Sequence, residues 1–310
     1  MSTYKIMIAL SLLLFGLMSE PRAIAESYRP VCSSYVSTML QKTIDYCLDR
    51  THPERPPLPG ERVTYFMHGT NGSAATWTSN NYANSLSELR DSGAILPAMT
   101  FVSFSTSAYS FFSDHPGDSH LAWETWFTTE FVPYIENKYQ LCNEKQCRSI
   151  MGESMGGFGA LKTILRHSEM FTSIAVNSPA LPAYSVWAPL EQWISFFSKH
   201  TVGPIKGAFL IELVRKIFPD ETIWEENNPI ELSQNLPLDQ YPPIYFDMGG
   251  KDDYGFNVGY WIFKQVLDQR HVPYTTIFEP NGHHDEWLRH ASDSIRFVCA
   301  HSEDASTSQN

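Results

Sequence analysis

The chain has 310 residues, 43% of them hydrophobic, which is enough to bury a substantial core in one large or two small domains. Its 34 acidic and 22 basic residues give a formal charge of −12. With no basic run, that balance argues against nucleic acid and anionic membrane surfaces as partners.

Residues 1–25 stand apart from the rest. Lys5 supplies a basic start, residues 6–18 are an uncharged apolar run, and Ala23-Ile24-Ala25 is a small-x-small cleavage site. This pattern predicts a secretory signal peptide cleaved after Ala25, too short for a membrane span, and hence a secreted or periplasmic protein. Export favours disulfides among Cys32, Cys47, Cys142, Cys147 and Cys299. Cys142 and Cys147 form the best local pair and Cys32 with Cys47 is a second candidate, although spacing leaves the connectivity open.

Along the chain, residues 37–40 and 43–48 read as an extended hairpin, followed by a stiff loop holding Pro53, Pro56, Pro57, Pro59 and Gly60. Residues 63–67 form a β-branched and aromatic strand ending in His68-Gly69-Thr70-Asn71-Gly72-Ser73. The loop after such a strand can place a backbone N–H, that of Thr70, towards an oxyanion. Asn71-Gly72-Ser73 is also a glycosylation sequon, and a glycan there would crowd the same mouth, which favours a bacterial or unglycosylated source. A helix over 82–90 and a strand over 99–105 come next. The loop 107–120 carries Asp114, His115, Asp118 and His120 without metal-ligand spacing, so it is read as loop structure or substrate contacts. Trp123, Trp126, Phe127, Phe131, Tyr134 and Ile135 recur every three or four residues, predicting a helix with one apolar face that Pro133 kinks or restarts.

The chain is organised around residues 150–160, Ile-Met-Gly-Glu-Ser-Met-Gly-Gly-Phe-Gly-Ala. An apolar strand turns here into a helix with Ser154 on the turn, and Gly152 and Gly156 complete Gly-x-Ser-x-Gly, the nucleophile-elbow spacing. A side chain at either glycine would crowd the turn, and the N–H of Met155 faces the place where an oxyanion would form. A strand over 171–176 follows. Residues 181–240 then break the strand–helix alternation with an aromatic-rich helical stretch, expected to form an insert or lid over the carboxyl ends of the strands that either shapes an acyl pocket or ties itself to the body. A strand over 243–248 leads to Gly249-Gly250-Lys251-Asp252-Asp253, a helix spans 260–269, and the last strand, 274–278, leads to Asn281-Gly282-His283-His284 before a final helix to about 300. The polar residues 302–310 are expected to be disordered.

A serine hydroxyl needs a base to take its proton and an acid to orient that base. The loop after the penultimate strand offers Asp253, with Asp252 as second choice. The loop after the last strand offers His284, with His283 second. The order Ser, acid, His is that of the nucleophile-elbow folds. His-His-Asp-Glu lacks the His-Glu-x-x-His spacing of a zinc site, so no metal is expected.

These stretches resemble the putative-esterase family of α/β-hydrolases, which includes esterase D (S-formylglutathione hydrolase), tributyrin and feruloyl esterases, and secreted mycolyltransferases. The resemblance rests on His68-Gly69-Thr70, Phe112-Ser113-Asp114, residues 130–136, residues 152–161, Gly250-Lys251-Asp252-Asp253 and Gly282-His283-His284. It covers most of the chain from about 63 to 287 and implies an α/β-hydrolase fold, with a mostly parallel sheet and helices on both faces. With the helical insert over 181–240 and no interdomain linker, a single domain over 26–301 is expected. It maps the acid onto Asp253 and the base onto His284, and implies an acyl-enzyme mechanism without a cofactor. Glu153 beside the serine and Trp287 three residues after His284 depart from the family pattern, and the insert matches weakly. The expected function is a serine carboxylic-ester hydrolase acting on a small-molecule or glycan-linked ester. An acyltransferase with an alcohol or sugar acceptor is the alternative, and a non-catalytic binding module is a third reading. The oligomeric state is not legible.

Overall fold

The computed structural model describes residues 28–302. The signal peptide expected over 1–25 and residues 303–310 of the expected tail lie outside the described residues. The first half contains β1 (Val31–Ser37), β2 (Lys42–Arg50), β3 (Arg62–Met67), α1 (Thr76–Ser79), α2 (Tyr82–Asp91), β4 (Met99–Phe104), α3 (Trp123–Trp126) and α4 (Val132–Tyr139). Next come β5 (Arg148–Glu153), α5 (Met155–Arg166), β6 (Ser173–Asn177), α6 (Leu190–Phe197), α7 (Pro204–Ile217), α8 (Glu221–Glu225) and α9 (Pro229–Asn235). The chain closes with β7 (Ile244–Gly249), α10 (Phe256–Gln269), β8 (Thr275–Glu279) and α11 (Trp287–Ala300).

The eight strands form one sheet in the order β1-β2-β4-β3-β5-β6-β7-β8. β1, β2 and β4 pair antiparallel, and from β4 to β8 every pair is parallel. The central strands are buried on both faces, which explains their unbroken apolar runs. Tyr65, Val102 and Ile150 pack on one face with α3–α5, α9 and α10. Their neighbours Phe66, Phe101 and Met151 pack on the other with α2 and α11. The parallel arrangement brings the loops after β3, β5, β7 and β8 to one edge of the sheet.

Three expectations shift in position. The hairpin is real, but its first strand is Val31–Ser37, and residues expected to be extended form the turn. The Glu130 carboxylate accepts from the N–H groups of Thr38 and Met39 there, a partner more than ninety positions away. The aromatic helix is split by a π-helical turn over Phe127–Phe131 just before Pro133, whose ring cannot accept an ordinary fourth-residue backbone geometry. α10 begins at Phe256, four residues early, because the Asp252 carboxylate accepts from the N–H groups of Tyr254 and Phe256.

Disulfides join Cys32 to Cys47, directly opposite each other on β1 and β2, and Cys142 to Cys147 in the loop before β5. Cys299 is a buried free thiol, pushed up to about 12 by burial. Ser302, expected to begin the tail, is buried and donates to the Val298 carbonyl. The stretch between β6 and β7 is helical as expected. α6 and α7 pack on each other so closely that a Cβ on Gly207 would lie 2.2 Å from the Phe197 ring.

Candidate active site

Ser154 links β5 to α5 at φ 51°, ψ −120°, a backbone state that an L-residue adopts only under constraint. Its N–H donates to the Asn177 carbonyl, and its own carbonyl accepts from the N–H groups of Phe158 and Ala180. The two flanking glycines are required by main chain rather than by the serine. A Cβ on Gly152 would lie 2.3 Å from the Gly156 carbonyl oxygen, and one on Gly156 would lie 2.0 Å from that of Met67. The glycines therefore let α5 descend onto β5 and β3, which lifts the serine oxygen clear of the sheet.

His284 Nε2 lies 2.8 Å from Ser154 Oγ, and its Nδ1 lies 2.6 Å from Asp252 Oδ2. The other Asp252 oxygen accepts from the N–H groups of Tyr254 and Phe256, so this buried carboxylate has partners on both oxygens. The expected first-choice acid, Asp253, is not the residue that meets the His284 ring. It turns outward, 3.3 Å from His283 Nδ1, and touches His284 only at its backbone N–H, 3.4 Å away. The turn decides between the neighbours: the Asp252 N–H donates to Gly249 and the Lys251 N–H to Gly282, which aims Asp252 inward. His283, the second-choice base, has a side chain 56% exposed and does not approach the serine. Tyr254, Phe256 and Trp287 enclose the His284 ring at centroid distances of 4.8, 5.5 and 5.3 Å.

Thr70 and Ser154 line the same cavity. The Met155 N–H is the first of α5 and so has no acceptor within the helix. His68, just before this loop, is structural. The Thr106 N–H donates to its Nε2 at 3.1 Å, so Nδ1 carries the proton and donates to the Gly69 carbonyl at 2.7 Å. Burial lowers its pKa to about 4, and the ring stays neutral. Asp247 on β7 ties down the far side of the elbow, accepting from the Ser178 N–H and from the Asn177 side chain. Nothing local in the sequence marked Asp247, because its partners come from another strand. In the loop 107–120, Asp114 accepts from the N–H groups of Glu124 and Thr125, a structural use of that carboxylate.

The cavity beside Ser154 measures about 290 Å³. Phe111 and Phe158 line it, and the insert supplies Val186, Ile211, Val214 and Trp224. Phe111 lies on an unusual stretch of backbone. It and Phe112 both hold left-handed backbone at φ 47° and 50°, pinned by the buried Lys162 ammonium on the Phe112 carbonyl. On the outer side of His284 a second, open groove is lined by Thr201, Lys206, Tyr254 and His283.

A family model described as Putative esterase matches residues 50–291. The chain belongs to this family. Esterase MT1326 of Mycobacterium tuberculosis is 38% identical over 56 residues, a match covering 18% of this chain and only 12% of that relative. A ferulic acid esterase structure superposes with a TM-score of 0.67 at 22% identity, covering 89% of this chain and 98% of its own. An S-formylglutathione hydrolase from Agrobacterium tumefaciens gives a TM-score of 0.67 at 16% identity, covering 88% and 95%. At such identities the likeness is one of fold, and the fold is the expected α/β-hydrolase.

Proposed function

We propose that the protein is a serine carboxylic-ester hydrolase in which Ser154, His284 and Asp252 act together. The supporting observation is the pair of short contacts through His284, to Ser154 on one side and Asp252 on the other, at the mouth of an apolar cavity. Ser154 Oγ attacks the ester carbonyl carbon as His284 Nε2 takes its proton. Asp252 holds the imidazole with its Nδ1 proton inward and balances the imidazolium. The N–H groups of Met155 and Thr70 receive the oxyanion. Collapse breaks the bond to the alcohol oxygen, which receives the proton from His284. Water then repeats the sequence on the acyl-enzyme and releases the acid and free Ser154. No step calls for a cofactor.

The leaving alcohol must lie beside His284, and the open groove is on that side. The acyl group is then directed into the cavity built by the insert, whose lining favours an apolar chain or ring. Secretion or a periplasmic location fits the two disulfides. No helix among the described residues is long and apolar enough to cross a membrane.

Hydrolysis of p-nitrophenyl acetate, butyrate and octanoate by wild type and Ser154→Ala tests this reading. Ser154-dependent turnover with butyrate or octanoate preferred is expected. Turnover unchanged in Ser154→Ala would overturn it. Release of the acyl group that is accelerated by added alcohol would instead assign an acyltransferase.

A further inference from the structure

We propose that Glu153 is a positioning residue: its uncharged carboxyl holds the Gly69–Thr70 turn against the nucleophile, and its ionised form weakens the site. The proposal rests on the esterase reading above and adds a residue to it. Glu153 ends β5 immediately before Ser154 and is 2% exposed. Asn80 Nδ2 donates to its Oε1 at 2.6 Å, and the Gly69 backbone N–H faces the same carboxyl. Packing is tight on this side. A Cβ on Gly69 would stand 3.3 Å from Glu153 Oε1 and 3.4 Å from Ser154 Cβ. The carboxyl therefore sits between three segments, namely the elbow, the turn carrying Thr70 and the link from α1 to α2.

Among the described residues Glu153 makes no ion pair, and its Oε2 is buried without a hydrogen-bond partner within 3.5 Å. The titratable groups around it are few. Tyr82 on α2 faces it with a hydroxyl that donates to Asn177. His68 at the end of β3 is neutral, and Asp247 on β7 stands behind Asn177. His284 lies across Ser154 in the shared cavity. Burial in these surroundings pushes the Glu153 pKa up to about 8, so the group is neutral at pH 7. Once ionised, it sets a negative charge one residue from the oxygen that attacks and beside the turn that must receive an oxyanion. Like charges there oppose the transition state.

The test is kcat and kcat/KM for p-nitrophenyl butyrate from pH 6 to 10, for wild type, Glu153→Gln and Asn80→Ala, with Ser154→Ala as background. Wild-type kcat is expected to fall at least fivefold from pH 7 to pH 9.5, with a midpoint near pH 8. Glu153→Gln should lack that alkaline fall. Asn80→Ala removes a donor that favours the ionised carboxyl, so its alkaline limb should move to higher pH. This second variant carries the test if Glu153→Gln does not fold. Alkaline limbs that superimpose on that of wild type in the folded variants would overturn the proposal while Ser154 dependence kept the esterase reading. Turnover undiminished in Ser154→Ala would overturn both.

Discussion

The elbow and the insert meet at the same cavity but are held by different means. At the elbow the two glycines face main chain, the Gly156 and Met67 carbonyls, and the Ser154 backbone is tied to the Asn177 carbonyl and the Ala180 N–H. Backbone cannot rotate away, so this region has no slack. The insert contacts the body through side chains such as Phe197, Phe218 and Trp224, which join Phe158 in a small apolar cluster of their own. Its outer face leaves Ile205 and Phe209 in solvent. Side chains can repack, so this region can change shape without losing the fold. Chemistry assigned to the first region should respond to substitution almost as all or none, and selectivity assigned to the second should respond by degrees.

The sharpest way to break that contrast is at the proposed triad. Ser154→Ala is expected to lower kcat by about 10⁴-fold or more, measured against p-nitrophenyl butyrate. Asp252→Asn should cost about 10³- to 10⁴-fold, because the wrong imidazole tautomer is then favoured. Asp253→Asn should change kcat by less than about fivefold. Equal losses in the two Asp variants would contradict the geometry at His284.

Gly156→Ala tests the absence of slack without touching a reacting group. Its methyl would meet the Met67 carbonyl at 2.0 Å, so a loss of about 3 kcal/mol or more in denaturant unfolding is expected, above the usual cost of overpacking. The insert should behave differently. Val214→Phe would fill the cavity, and kcat/KM for octanoate should drop roughly tenfold while that for acetate stays within about twofold. A matching drop for acetate would mean that the insert supports the chemistry as well as the pocket.

The smallest effect concerns acid stability. Glu124 lies beneath the strained Phe111–Phe112 turn. Burial alone would raise its pKa, but Lys162, Arg166 and His167 outweigh that and hold it well below the usual carboxylate range. A depressed pKa contributes stability that is present above the unfolded value, near pH 4.5, and is lost as pH falls through the folded value. Wild-type Tm should therefore decline on acidification below about pH 4.5. Glu124→Gln should show a flatter decline from a lower starting point. Parallel curves for the two proteins would remove Glu124 from this role.

Much of the molecule was legible because local chemistry and tertiary need coincide. Doubly buried strands must be apolar runs, a helix pressed onto a strand needs glycine, and Gly-x-Ser-x-Gly states both conditions within five residues. The cysteine pairs were readable where they were local, as with Cys142 and Cys147. Cys32 and Cys47 become partners through the register of β1 on β2. What stayed hidden depended on groups distant in sequence. Glu130 turns Thr38 and Met39 out of the strand, and Asp247 anchors the elbow from β7.

The two aspartates mark that boundary most clearly. By itself the sequence determined the strand–helix alternation, the serine at its centre and the two loops that would supply an acid and a base. These follow from period, turn chemistry and chain order. Which of Asp252 and Asp253 meets His284 was decided only by tertiary structure. Neighbouring side chains leave the backbone in different directions, and the hydrogen bonds to Gly249 and Gly282 orient the turn. The same holds for the cavity, whose walls come from segments separated by more than a hundred residues, and for Glu153, whose burial no local pattern encodes.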